Sequence, residues 1–268
     1  MSLPAKTVST ETGRTYKLGR RIPVAPAPVL PLARYLYRTL PTPPATCDYT
    51  AKALPVLAQM LGNDSLGDCT AAAAFHIAGV VLGNAGIPVI WDDKKDIIPF
   101  YEATGHYVLG QPKTDQGANI VTVLNYWRFK GLPNHKIYAY LAVNPKDEEE
   151  CATAIWLFEN LYKGIALPDI WVNPAPEKSG FVWGLNGDAD PNNGHALPSF
   201  GYNAEGTTDC TWALLGTMTW PAIAEYCSHK NYGELFTVLS LESLIKATQK
   251  APNGFDAEQL MHHIQLLA

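Results

Sequence analysis

The stretch that decides the fold is Gly62-Asn63-Asp64-Ser65-Leu66-Gly67-Asp68-Cys69-Thr70-Ala71-Ala72-Ala73, a glycine-bounded polar loop running straight into an alanine-rich apolar segment. Asp68 is placed to cap a buried helix over residues 69–82 that stops near Gly83. A cysteine at the first turn of such a helix has its thiolate favoured by the helix dipole and by unpaired amides, which predicts a lowered pKa and nucleophilic character. Gly62 and Gly67 allow a tight loop that brings backbone close to a substrate. Set against this is the common role of a cysteine among alanines, that of a small core residue.

The second decisive stretch, Asn193-Gly194-His195-Ala196-Leu197-Pro198-Ser199-Phe200-Gly201-Tyr202, puts a histidine at the start of an apolar strand 126 residues after the cysteine. A strand holds such an imidazole rigidly enough to act as base and then acid toward a facing thiol.

Around these two stretches the chain reads as helices first and strands later. Helical patterns cover residues 69–82 and 117–130, with a third opened by Asn144-Pro145 and the acids Asp147 to Glu150 and carried through Leu161 to Gly164. Strands are expected at 164–168, 195–203, 211–216 and 234–240, with 186–194 a turn-rich loop, and amphipathic segments at 241–250 and 256–267 close the chain. That order predicts the α+β class.

The totals agree with a loop-rich enzyme-like domain. Of 268 residues, 47% are hydrophobic and only 17% charged, while 21 glycines and 21 prolines exceed ordinary usage. The net charge of −5 gives no general attraction to nucleic acid, but it is unevenly spread. Residues 1–40 carry Lys6, Arg14, Lys17, Arg20, Arg21, Arg34 and Arg38 against Glu11 alone, a net of +6, leaving −11 on the rest. Eight prolines fall within residues 1–44, so this basic arm is expected to be extended, with at most a short helix near residues 33–37, and to precede a domain at 41–268. Its charge and prolines make it a docking strap, for its own chain or a neighbour, in preference to an inhibitory pro-domain.

The longest nearly apolar run, residues 71–82, is too short to span a membrane, and no apolar signal region opens the chain. The expected setting is the cytoplasm, or a virion if phage-encoded. Cys47, Cys69, Cys151, Cys210 and Cys227 lack metal-ligand spacing and read as free thiols. Asp188 and Asp190 alternate as in a calcium loop, but position twelve is Ser199 and not Glu, so a solvated turn is expected, with no metal and no cofactor.

Taken in chain order, these residues resemble the papain-like cysteine peptidases over roughly residues 40–240. Leu40-Pro41 through Cys47-Asp48-Tyr49 is similar to the start of the mature domain, Asn63 stands six residues before Cys69 where the family has its oxyanion-hole Gln, and Gly194-His195-Ala196 through Gly201-Tyr202 matches the His motif. The segments Gly62-Asn63-Asp64 to Thr70 and Leu124-Asn125-Tyr126-Trp127-Arg128 are closer still to papain-like proteins of bacteria and phages. The resemblance implies a two-part fold, a helical half with Cys69 and an antiparallel sheet half with His195. It also implies a thiol peptidase or amidase acting on a peptide or protein, with Cys69 as nucleophile, His195 as proton shuttle and Asn63 as oxyanion donor. The family's third member, an Asn, is missing: Gly216 or Met218 stands at its place, and Thr217 or Thr219 is left to orient His195. Two other functions fit the same residues, a catalytically silent papain-like structural or binding protein of the kind that docks on a phage particle, here through residues 1–40, and an acyl transferase.

Overall fold

A computed structural model describes residues 4–23 and 29–266. Part of the proline-rich stretch at 24–28, and Leu267 of the last expected helix, lie outside the described residues.

The molecule is α+β, with a helical half and a sheet half meeting along the helix that starts at Cys69. The chain opens with a hairpin of β1 (Lys6–Ser9) and β2 (Thr15–Leu18), followed later by a 3-10 turn at Leu32–Tyr35. Short β3 (Cys47–Asp48) and α1 (Leu54–Leu57) lead to α2 (Cys69–Asn84), α3 (Ile98–Gly105) and α4 (Ile120–Phe129). Then come β4 (Ile137–Ala142), α5 (Glu148–Phe158), β5 (Leu161–Pro168), β6 (Phe181–Trp183), β7 (Ala189–Tyr202), β8 (Gly206–Thr211) and β9 (Leu214–Thr219). The chain closes with α6 (Trp220–Tyr226), β10 (Glu234–Ser240), α7 (Leu241–Lys250) and α8 (Ala257–Leu266).

The main sheet runs β4-β10-β5-β7-β8-β9-β6, with β3 also paired to β7; among these described strand pairs β6 to β9 is parallel and the others antiparallel. β5 and β10 are buried along their whole length, as expected for strands covered on both faces. α2 is buried on nearly every side, which its run of small residues permits, since helices and strands can approach it closely from all directions.

Several expectations need correction. Asp68 precedes α2 but makes no side-chain cap; its carboxyl is fully buried, which pushes its pKa well up. The cap of α5 is Asp147, whose side chain accepts from the Glu150 N–H, and Asn144-Pro145 lies in the turn before it. That helix ends at Phe158 because Glu159 turns left-handed, so Leu161 to Lys163 begin β5 instead. The expected loop at 186–194 is strand from Ala189 onward, paired Ala189 to Pro168. The expected strand at 211–216 is strand at both ends, Thr211 closing β8 and Leu214 opening β9, and is broken by a tight turn in which Trp212 and Ala213 are both at positive φ.

Nor is the N-terminal segment simply extended. Val8, Tyr16 and Leu18 of the hairpin and Leu32 and Tyr35 beyond it enter the same buried cluster as the sheet, and the Tyr35 hydroxyl meets His263 Nδ1 at 3.0 Å. Tyr16 and Leu18, two apart on a strand, point to one face and bury together.

Candidate active site

Cys69 stands at the first residue of α2, and the loop before it is held by a buried network. The Gly67 N–H donates to the Asp115 carboxylate at 3.0 Å, Tyr101 OH donates to the same group at 2.7 Å, and the Gly117 N–H donates to Tyr101 OH at 2.9 Å. One tyrosine–aspartate pair thus fixes the backbone at Gly67 and at Gly117, both of which lie against Gly19.

His195 lies across from this wall, on β7. Its neighbour Ala196 brings a backbone group to the Cys69 sulfur, and Asn63, Cys69, Ala196, Thr211 and Trp212 line one small crevice. Asn63 and Cys69 share this crevice, and His195 is the chain neighbour of Ala196, whose backbone reaches the Cys69 sulfur. The structure does not bond the thiol to the imidazole: His195 Nδ1 is buried without a hydrogen-bond partner.

The group that orients His195 is one the sequence pattern did not single out. His195 Nε2 lies 2.7 Å from Thr211 Oγ1. Thr217 and Thr219 are excluded by register, because they pair with Thr208 and Gly206 toward the far end of the hairpin, while Thr211 lies at the end nearest His195. The His195 ring also packs 4.7 Å from Trp212, and Trp212 stacks on Tyr16 of the N-terminal hairpin at 4.7 Å and 4°. A threonine followed by a tryptophan is a weak signal alone; the positive-φ turn that aims both at the imidazole is invisible in sequence.

The chain's own N-terminal segment is bonded to the backbone beside Asn63, Ala118 and Gly194. Lys17 N–H donates to the Asn63 carbonyl at 2.9 Å, and Asn63 Nδ2 donates back to the Lys17 carbonyl at 3.1 Å. Ala118 N–H donates to Gly19 O at 2.8 Å, Arg21 N–H donates to Ala118 O at 2.9 Å, and Arg20 N–H donates to Gly194 O at 3.0 Å. These bonds pin a strap through residues 17–21 against both walls, running parallel to the chain at Ala118. Such proximity needs glycine on both sides. A β-carbon at Gly117 would stand 1.7 Å from the Gly19 carbonyl oxygen, and one at Gly194 would stand 2.1 Å from that of Arg20.

Burial under the strap inverts the expected electrostatics. The Cys69 thiol is pushed up to about 12, chiefly by burial, and the backbone groups of Gly19 and Ala196 beside the sulfur only partly oppose it. His195 is pulled down to about 3 by burial first and by the Arg20 charge second. Both groups are neutral here, so the lowered thiol pKa expected from the helix start does not hold in this covered state. Burial of charge costs more than the helix dipole returns.

Among the described residues, no group of three or more His, Cys, Asp or Glu side chains could hold a metal ion. No described helix is long and apolar enough to cross a membrane.

No family model and no curated protein matches the sequence. Solved structures do. Xylellain, a cysteine protease from Xylella fastidiosa, matches with TM-score 0.57 at 14% identity, over 88% of this chain and 98% of its own. Digestive procathepsin L 3 of Tenebrio molitor matches with TM-score 0.56 at 12% identity, over 82% of this chain and 75% of its own. Procathepsin B S9 from Trypanosoma congolense matches with TM-score 0.54 at 13% identity, over 83% and 86%. The fold is papain-like. Cys69 opens the long buried helix, His195 sits on the sheet, and residues 17–21 are bonded to Asn63, Ala118 and Gly194 near them.

Proposed function

We propose that this chain is a papain-like thiol peptidase held shut by its own N-terminal strap. The observation that carries this reading is the clamping of residues 17–21 at Asn63, Ala118 and Gly194, beside Cys69 and His195. A peptide held by its backbone in this way presents a carbonyl to whatever nucleophile the cleft offers. With the strap displaced, Cys69 Sγ attacks the substrate carbonyl and its proton passes to His195 Nδ1, the nitrogen left without a partner. Thr211 fixes Nε2 and so the ring orientation. Asn63 Nδ2, which already donates to a strap carbonyl, and the Cys69 N–H stabilise the oxyanion. The imidazole then protonates the leaving amine, and water releases the acyl group.

One observation favours the other reading, a silent papain-like structural or binding module that docks through residues 1–40. Val8, Tyr16 and Leu18 belong to the core, and burying side chains of this size contributes on the order of 1.5–3 kcal/mol each, so the cover is part of the fold. An electrophilic thiol probe decides between them. Under conditions that loosen the strap, the peptidase reading expects Cys69-dependent labelling and peptide hydrolysis, both lost in Cys69→Ala. Labelling no greater than in Cys69→Ala, with no hydrolysis, overturns it.

A further inference from the structure

A second cavity, of about 550 Å³, shares no lining residue with the crevice at Cys69. It opens between the end of α4 (Phe129), the start of β4 (Ile137), the start of α7 (Leu241) and α8 (Ile264). Sites for small molecules have volumes of ~300–1,000 Å³. Beside these apolar residues one polar group is buried and unmatched. The His135 side chain is only 1% exposed. Trp127 Nε1–H donates to His135 Nδ1 at 3.2 Å, and burial pulls the imidazole pKa down to about 4, so the ring is neutral with its proton on Nε2. That N–H has no hydrogen-bond partner among the described residues; Glu242 Oε2, which also lines the cavity, is 3.8 Å away. Two other hollows, at Gly79 and at Leu30, hold no buried polar atom without a partner.

We propose that this cavity is a binding site for a small phenol, whose hydroxyl accepts from His135 Nε2–H and donates to the Glu242 carboxylate. The gap of 3.8 Å lets one oxygen, set off the line between the two atoms, reach both. The pair also selects the chemistry. An ether accepts but cannot donate, an ammonium donates but cannot accept, and a carboxylate meets Glu242 as a like charge. A water satisfies both groups yet leaves Phe129, Ile137, Leu241 and Ile264 wet, whereas a hydroxyl carried on an apolar body covers them as well. Arg128 and Lys136, which line the same cavity, favour an electron-rich ring as that body over a saturated one; the Arg128 guanidinium already stands over the Phe129 ring, with Cζ 5.2 Å from its centroid. The site is independent of whether Cys69 cleaves peptides.

Titration of the full chain with p-cresol, 4-methylanisole and toluene, followed by NMR, tests the proposal. The three share one ring and differ in whether the polar atom donates and accepts, only accepts, or is missing. p-Cresol should bind at least ~10-fold more tightly than either of the others, and it alone should shift the His135 ring nitrogens. Glu242→Ala should bring p-cresol down to the affinity of toluene. Leu241→Trp, which places an indole at a half-exposed position on the cavity wall, should abolish binding of all three. The comparison of the three ligands on the unaltered chain stands even where a variant fails to fold. Equal affinity for p-cresol and toluene would show an apolar hollow without hydroxyl recognition. p-Cresol binding unchanged in Leu241→Trp would place it elsewhere on the molecule. Either result, or no binding of p-cresol up to its solubility, overturns the assignment.

Discussion

Gly19 of the strap passes so close to Gly67 that a β-carbon on it would stand 1.8 Å from the Gly67 carbonyl oxygen. The obstacle is backbone, two residues before Cys69, and cannot swing aside as a flexible side chain would. Gly19→Ala should therefore lift the strap while leaving the domain folded. Overpacking of this kind typically costs ~1–3 kcal/mol, which raises the open population by roughly 5- to 150-fold. Cys69 labelling by a thiol probe should rise by a similar factor, and an unchanged labelling rate would show that the strap is not what shields the sulfur.

The oxyanion assignment is separable from the strap. In a Gly19→Ala background, Asn63→Ala should lower kcat by ~10² with little change in KM, because the amide acts on charge that develops only in the transition state. Its hydrogen bond to the Lys17 carbonyl shows that the side chain reaches a carbonyl in the cleft. Steady-state kinetics giving an equal loss in kcat/KM through KM alone would reassign Asn63 to substrate binding.

Thr211→Val keeps the shape of the side chain and removes the oxygen that faces His195 Nε2 at 2.7 Å. The ring then loses its orienting contact. A fall in kcat of about tenfold or more is expected, with Thr211→Ser restoring most of it. Thr217→Val and Thr219→Val, at the far end of β9, should leave kcat within twofold.

How far the sequence reached depends on the range of the interactions involved. The Cys69 helix, the His195 strand and β10 at Glu234–Ser240 were legible because each is announced by its own residues: small apolar runs, glycine stops and alternating apolar positions. Asp68 misled because a capping aspartate and a buried one read alike, and burial depends on what packs over it. Thr211 was missed because a turn at positive φ with non-glycine residues has no sequence signature. The strap was legible as basic and proline-rich, but its seat in the cleft depends on bonds spanning about half the chain or more, such as Arg20 to Gly194 and Glu234. Charge count could not separate a basic segment that binds a partner from one whose arginine fills a socket in its own domain.

Lys163 is another such case, a charged residue in a strand that is buried throughout. Its Nζ donates to the Asp209 carboxylate at 2.7 and 2.8 Å and to Thr207 Oγ1 at 2.6 Å, with no exposure on either ionic partner. Asp209→Ala leaves an uncompensated buried ammonium and should cost about 3–5 kcal/mol of stability. Lys163→Met/Asp209→Leu, which removes both charges, should recover most of it in urea unfolding. A double variant as unstable as the single one would place the loss in packing instead.

Acid should unfold the protein through its buried imidazoles. His76 and His135 are pulled down to about 4 and His195 to about 3, each chiefly by burial. His76 Nε2 lies 3.1 Å from the Gln59 carbonyl and Nδ1 lies 3.8 Å from Cys210 Sγ, which fits a neutral ring donating from Nε2 and accepting at Nδ1. A folded-state pKa below the unfolded value means that the unfolded chain takes up the proton first. Stability is therefore full above about pH 6.5 and falls as pH drops toward 4 for two of these groups and toward 3 for the third. Each imidazole contributes a slope of ~1.4 kcal/mol per pH unit in that window. Asp68 works in the opposite sense, since its raised pKa lets the folded state hold a proton that the unfolded state has released, and it offsets part of the loss. Urea unfolding at pH 7, 5.5 and 4.5 should show this decline, and His76→Gln, which keeps a donor for the Gln59 carbonyl, should flatten it by about one proton's worth. A slope unchanged in His76→Gln would mean that the imidazole is protonated in the folded protein, and the burial argument for His76 would fall with it.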